Sequence, residues 1–124
     1  PVVEYGQLDP LLQPASAVTG VYVYRATAIP QLANLVLFGD NPSGEVFAFS
    51  ADNLPAGGQE AIQRILFNNG EGPRTLLQLI QEKNTADGQG VATRADLRLG
   101  LGPNDQIFVL NKRDGIIRLL VAVR

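Results

Sequence analysis

An all-β fold is what this chain of 124 residues predicts, and three observations predict it. Short apolar runs with period-two alternation recur, Gly and Pro together make up about a sixth of the residues, and no long stretch keeps helical spacing. Such a chain is expected to use many short elements joined by turns. The hydrophobic and charged fractions, 45% and 18%, are those of a globular domain able to bury one core.

Taken in order, residues 1–18 carry three Pro and two isolated apolar pairs, Val2-Val3 and Leu11-Leu12, and read as an extended lead-in. Thr19 to Arg25 alternates Val21 and Val23 with Tyr22 and Tyr24, the period of a strand. Pro30 interrupts regular pairing, so Ala28 to Ala33 is expected as a short turn. Leu35–Gly39 and Glu45–Ala51 form a hairpin around Asp40-Asn41-Pro42-Ser43-Gly44, where Pro presets φ and Gly takes positive φ. Asp52 to Gly58 is a Pro/Gly loop, and Ala61 to Phe67 is another strand.

Leu76, Leu77, Leu79 and Ile80 fall at helical spacing behind Pro73 and a Thr75 cap. They predict a short helix over about 75–83, with a strand as the competing reading. Asn84 to Gly90 is a polar loop. Arg94 to Leu99 alternates strictly, Ile107 to Leu110 is apolar, and Asp114-Gly115 turns the chain into a last strand, Ile116 to Val123.

The hairpin has a counterpart later in the chain. At an offset of 61 residues Gly39 matches Gly100, Pro42 matches Pro103, Val46-Phe47 matches Ile107-Phe108, and Phe49 matches Leu110. The same strand-turn-strand unit is therefore expected twice. A unit of this size with about four short strands is what a β-propeller blade contains. The expected architecture is about two four-stranded antiparallel blades, in units of about 19–68 and 91–124 joined by 69–90.

Charge and missing residue types narrow the functions. The net charge of -2 argues against a nucleic-acid surface, which needs surplus Lys and Arg. The charge is uneven, however: residues 1–90 hold four basic and nine acidic side chains, residues 91–124 six basic and three acidic, so the last third is suited to face an anion. With no Cys and no His, neither a disulfide framework, a Cys-His or Ser-His-Asp constellation, nor a His-based metal site can form. No apolar run approaches membrane-spanning length. The start at Pro1 without Met or leader leads us to expect a mature chain or a piece of a longer one.

Thr19-Gly20-Val21-Tyr22-Val23-Tyr24-Arg25, Ile29-Pro30, and Phe38-Gly39-Asp40 with Gly44 following stand in an order that, with Asp96-Leu97-Arg98, Gly102-Pro103, Ile107 to Leu110 and Lys112 to Ile116, resembles the C-terminal part of the glucose/sorbosone dehydrogenase family. The resemblance spans about residues 16–121. Two positions depart from the family pattern: Val21 and Ala26 stand where Gly is usual. The resemblance implies a six-bladed propeller, many members of which are PQQ-dependent (pyrroloquinoline quinone) sugar dehydrogenases, exported to the periplasm or outside the cell. It implies that this chain closes the ring, and that the His base and the calcium ligands lie in other blades. Two open blades leave faces and edges uncovered, so the remaining blades or further copies of the chain are the expected partners, with a sugar as a possible ligand.

The candidate cofactor contacts are Arg94 and Arg98, since guanidinium forks suit the carboxylates of PQQ. The family pattern implied there is Arg-x-Arg-Asp, and Ala95 replaces the second Arg. The plainer reading of Arg94-Asp96-Arg98 is a salt-bridge cluster or a solvated face. No residue is assigned to catalysis and none to metal binding. Lys112-Arg113-Asp114-Gly115 reads as a solvated hairpin tip, the turn Asp residues as backbone-bonding turn formers, and Tyr5, Tyr22 and Tyr24 as packing residues in preference to a sugar platform. The alternative function is a non-catalytic carbohydrate- or protein-binding module.

Overall fold

The computed structural model describes residues 1–6 and 16–123. Half of the expected lead-in, Leu11-Leu12 included, lies outside those residues. The chain folds as β1 (Val18–Val23), a single 3-10 turn (Pro30–Leu32), β2 (Leu35–Asp40), β3 (Val46–Ser50), β4 (Gln63–Ile65), β5 (Phe67–Asn68) and β6 (Pro73–Arg74). It continues through α1 (Leu76–Ala86), β7 (Arg98–Leu101), β8 (Ile107–Leu110) and β9 (Ile117–Leu119). It is a small β-rich domain of antiparallel sheets with one short helix. Among the described residues no helix is long and apolar enough to cross a membrane.

The first sheet runs β1-β2-β3-β4, each strand antiparallel to the next. Its register explains the apolar runs at 35–38 and 46–49. Leu37 faces Ala48 on one side, while Val36 faces Phe49 and Phe38 faces Phe47 on the other. Both faces are covered. Leu37, Val46 and Ala48 join the main core, whereas Val36, Phe38, Phe47 and Phe49 form a second cluster under Val3 and Tyr5. The Phe38 and Phe47 rings lie 5.5 Å apart, and Tyr5 stacks on Phe38 at 6.3 Å. Residues 1–6 are tied down further by Glu4 N–H donating to the Gly58 carbonyl and Gly57 N–H to that of Val2.

The irregularity of β1 falls at Gly20. Gly20 takes φ +63° and forms a bulge, so that Thr19 pairs with Gly39 and Val21 with Phe38. That leaves Val21 an ordinary strand residue.

The 61–67 strand expected from sequence divides. Gln63–Ile65 completes the first sheet, and Phe67–Asn68 turns away to pair with Pro73–Arg74. The helix is present and longer than its apolar spacing suggested. The Thr75 hydroxyl accepts from Gln78 N–H at 3.2 Å while Thr75 N–H donates to the Gln78 side chain at 2.9 Å, a capping box. Leu76 and Ile80 enter the main core.

The second sheet, β7-β8-β9, contributes Leu99, Ile107 and Val109 to that core. It repeats the first hairpin's plan with a one-residue change of register. Gly39 faces Val46, but Gly100 faces Phe108 rather than Ile107, so the two hairpins are not superimposable residue for residue. β7 also begins later than the alternation predicts, at Arg98 instead of Arg94. Residues 95–97 are engaged elsewhere: Ala95 N–H donates to the Pro42 carbonyl at 2.8 Å, Leu97 N–H to that of Asn41 at 2.9 Å, and Asn41 Nδ2 to the Leu97 carbonyl. The segment is clamped to the first hairpin's turn. Gly44, at φ +73°, makes room, because a Cβ there would sit 2.6 Å from that of Ala95. The last strand is paired only over Ile117–Leu119, although alternating exposure continues to Val123.

Candidate functional site

The basic last third of the chain gathers around Asp96. That residue adopts φ +54°, a left-handed conformation that Asp tolerates better than most residues and that turns the chain just before β7. Ala95, Leu97 and Leu99 are buried, and Arg94, Asp96 and Arg98 face outward. The outward alternation expected from sequence is therefore present, without the continuous strand.

Two side chains of α1 place the arms of the site. Gln81 Nε2 donates to the Ala92 carbonyl at 2.8 Å, fixing the approach to Arg94, and the buried Asn84 side chain donates to the Arg113 carbonyl at 3.5 Å. The β8–β9 turn is built on Asn111 and Asp114. Asn111 Oδ1 accepts from Arg113 and Asp114 N–H, and the fully buried Asp114 carboxylate accepts from Asn111, Ile116 N–H and Arg118.

Arg94 directs Nε and Nη2 to Asp96 Oδ1, both at 3.2 Å. Arg113 Nη2 reaches Oδ2 at 2.5 Å and Lys112 Nζ stands 3.9 Å away, as ion pairs without hydrogen-bond alignment. Burial pushes the Asp96 carboxyl up, but the Arg94 hydrogen bond and the charges of Arg113, Arg94 and Lys112 outweigh it and hold it below the usual carboxylate range. Asp96 is thus ionised at neutral pH and holds no proton to donate. Three cations against one anion leave a surplus of positive charge.

Arg98 is not part of this group. Its Nη1 donates to the Leu97 carbonyl at 3.0 Å, and it makes no ion pair among the described residues. Sequence reading paired Asp96 with Arg94 and Arg98; the structure pairs it with Arg94, Arg113 and Lys112. The hairpin tip at 112–115 is a partner of Asp96, and only the basic bias of the last third hinted at this. Neither Arg94 nor Arg98 lines the large groove described below. Arg94 is thus paired with Asp96 and Arg98 is not. Among the described residues no three acidic side chains cluster as a metal site would require.

The tyrosines pack. The Tyr24 hydroxyl accepts from Ile29 N–H, Tyr22 donates to the Leu99 carbonyl, and Tyr5 lies over the phenylalanines.

A second feature is a groove of about 820 Å³ between two strand segments, residues 63–69 and 118–123. Leu32, Leu35, Ile65, Phe67, Leu79 and Leu120 give it an apolar lining. The charges on its rim already have partners: Arg64 with Glu45, Glu82 with Arg74, Lys83 with Asp87, and Arg118 with Asp114. In comparisons with known proteins, no family model, no curated protein and no solved structure matches this chain.

Proposed function

We propose that this chain is a ring-closing, non-catalytic segment of a propeller-type, PQQ-dependent sugar dehydrogenase. The resemblance over about residues 16–121 suggests the family. The observation that carries the reading is a four-stranded antiparallel sheet clamped, through the 40–44 turn, to a second antiparallel sheet with which it shares one core. Neighbouring blades would be joined in this way. Oxidation of a sugar at a quinone needs a proton acceptor, which the family resemblance places on a His in another blade, and this chain has none. Its own contribution is electrostatic: the surplus charge of Arg94, Lys112 and Arg113 around Asp96 faces an anionic group. Calcium ligands and the proton acceptor are assigned to the rest of the ring, and export follows the family.

A second reading, a non-catalytic binding module for carbohydrate or protein, is favoured by the apolar groove and by the engagement of Arg94 with Asp96.

Titrating PQQ with calcium into the purified chain separates them, read by quinone absorbance and melting temperature. The first reading expects weak binding that Asp96→Asn strengthens, by releasing Arg94 and Arg113, and that Arg113→Gln weakens. No response in any of the three proteins would remove quinone contact and leave the binding module.

A further inference from the structure

The two sheets differ at their edges. β1 is broken by the Gly20 bulge and lies against β7, where the Tyr22 hydroxyl donates to the Leu99 carbonyl. On β9 the pairing with β8 is regular over Ile117–Leu119. Leu120 N–H donates inward to the Ile107 carbonyl, so the alternation of the backbone turns the amides of Leu119 and Val121 away from the sheet. Among the described residues no strand meets them. Exposed along the same segment are Ile117, Leu119, Val121 and Val123, at 66%, 48%, 70% and 66%. Leu119, Val121 and Val123 also form one wall of the groove.

We infer that residues 117–123 pair antiparallel with the same segment of a second copy across a two-fold axis, closing the groove of each. Three features favour a second copy. The segment has one charge, Arg118, already answered by Asp114 of its own chain at 2.6 Å, so two copies meet without unpaired like charge. The groove rim is likewise internally neutralised, which suits an uncharged strand. The area is bounded as well: the four side chains expose on the order of 450 Å² together, so full coverage in both copies removes at most about 900 Å², to which the paired backbone edges add, against the ~1,000 Å² that a specific interface needs. An isologous contact of this kind closes on itself.

Sedimentation of the full chain from micromolar to hundreds of micromolar tests this. The wild type is expected to be a dimer over most of that range. Val121→Lys, at a side chain that packs on little in the monomer, weakens association by at least about tenfold, with the far-ultraviolet circular dichroism unchanged. Val18→Lys on the bulged edge of β1 leaves the dimer intact. A wild type that stays monomeric throughout, or a Val121→Lys protein that dimerises as the wild type does, overturns the inference.

Discussion

The first sheet is covered on both faces, and the second on one. Val36, Phe38, Phe47 and Phe49 lie under Tyr5 and Val3 on the side away from the main core, whereas Ile117 and Leu119 of the second sheet face outward uncovered. The two hairpins share a plan, yet only the first is closed by chain that folds back over it. A repeated sequence pattern thus supplies strands and turns, and the neighbours decide how much each unit buries.

The contrast can be broken most severely at Phe47, which is 1% exposed between two sheet partners and packed against the rings of Tyr5 and Phe38. Phe47→Ala is expected to cost about 3–5 kcal/mol in urea unfolding, against less than about 0.5 kcal/mol for Leu119→Ala measured in the monomeric Val121→Lys background. Equal costs would erase the distinction. Asp114→Ala comes next. It strands Arg118 and unmakes the β8–β9 turn, for about 2 kcal/mol, less than a fully buried pair because Arg118 is partly solvated.

Asp96→Asn has a smaller effect at neutral pH, below about 1 kcal/mol because its cations are exposed, but a distinctive pH signature. Burial opposes ionisation of Asp96 and of Asp114, yet their hydrogen bonds and neighbouring cations hold both carboxyls below the usual range. Depressed folded-state values contribute stability above the unfolded-state value of about 4, and lose it as pH falls through the folded-state value. Wild-type stability should therefore decline below about pH 4, and the decline should be shallower in Asp96→Asn. Identical acid profiles would contradict the assigned ion pairs.

The smallest change is Tyr5→Phe. Burial, then the charge of Asp40, pushes the Tyr5 hydroxyl up to about 12, and that hydroxyl is buried without a hydrogen-bond partner. Removing it should leave stability unchanged or raise it by up to about 1 kcal/mol.

Local chemistry made much of the fold legible in the sequence. Pro30, the Asp40–Gly44 turn, the Thr75 cap and the Asp114-Gly115 turn each act through neighbours a few residues away. The β7 boundary was not legible, because Ala95 and Leu97 spend their amides on Asn41 and Pro42, more than fifty residues distant. The division of 61–67 was hidden for a similar reason, since Phe67–Asn68 is drawn off by Pro73–Arg74. At the candidate site, Arg94 beside Asp96 followed from spacing. Arg113 and Lys112 did not: they arrive through the β8–β9 turn, which the helix residue Asn84 holds from a distance.

Residue-resolved hydrogen exchange at several protein concentrations tests the closed and open sheets together. Amides paired between β2 and β3, from Leu37 to Ala48, should be protected at every concentration, and those of Leu119 and Val121 only when the chain is concentrated enough to pair. Fast exchange at Leu119 and Val121 at all concentrations, or exchange in β2 as rapid as at the β9 edge, would contradict the account.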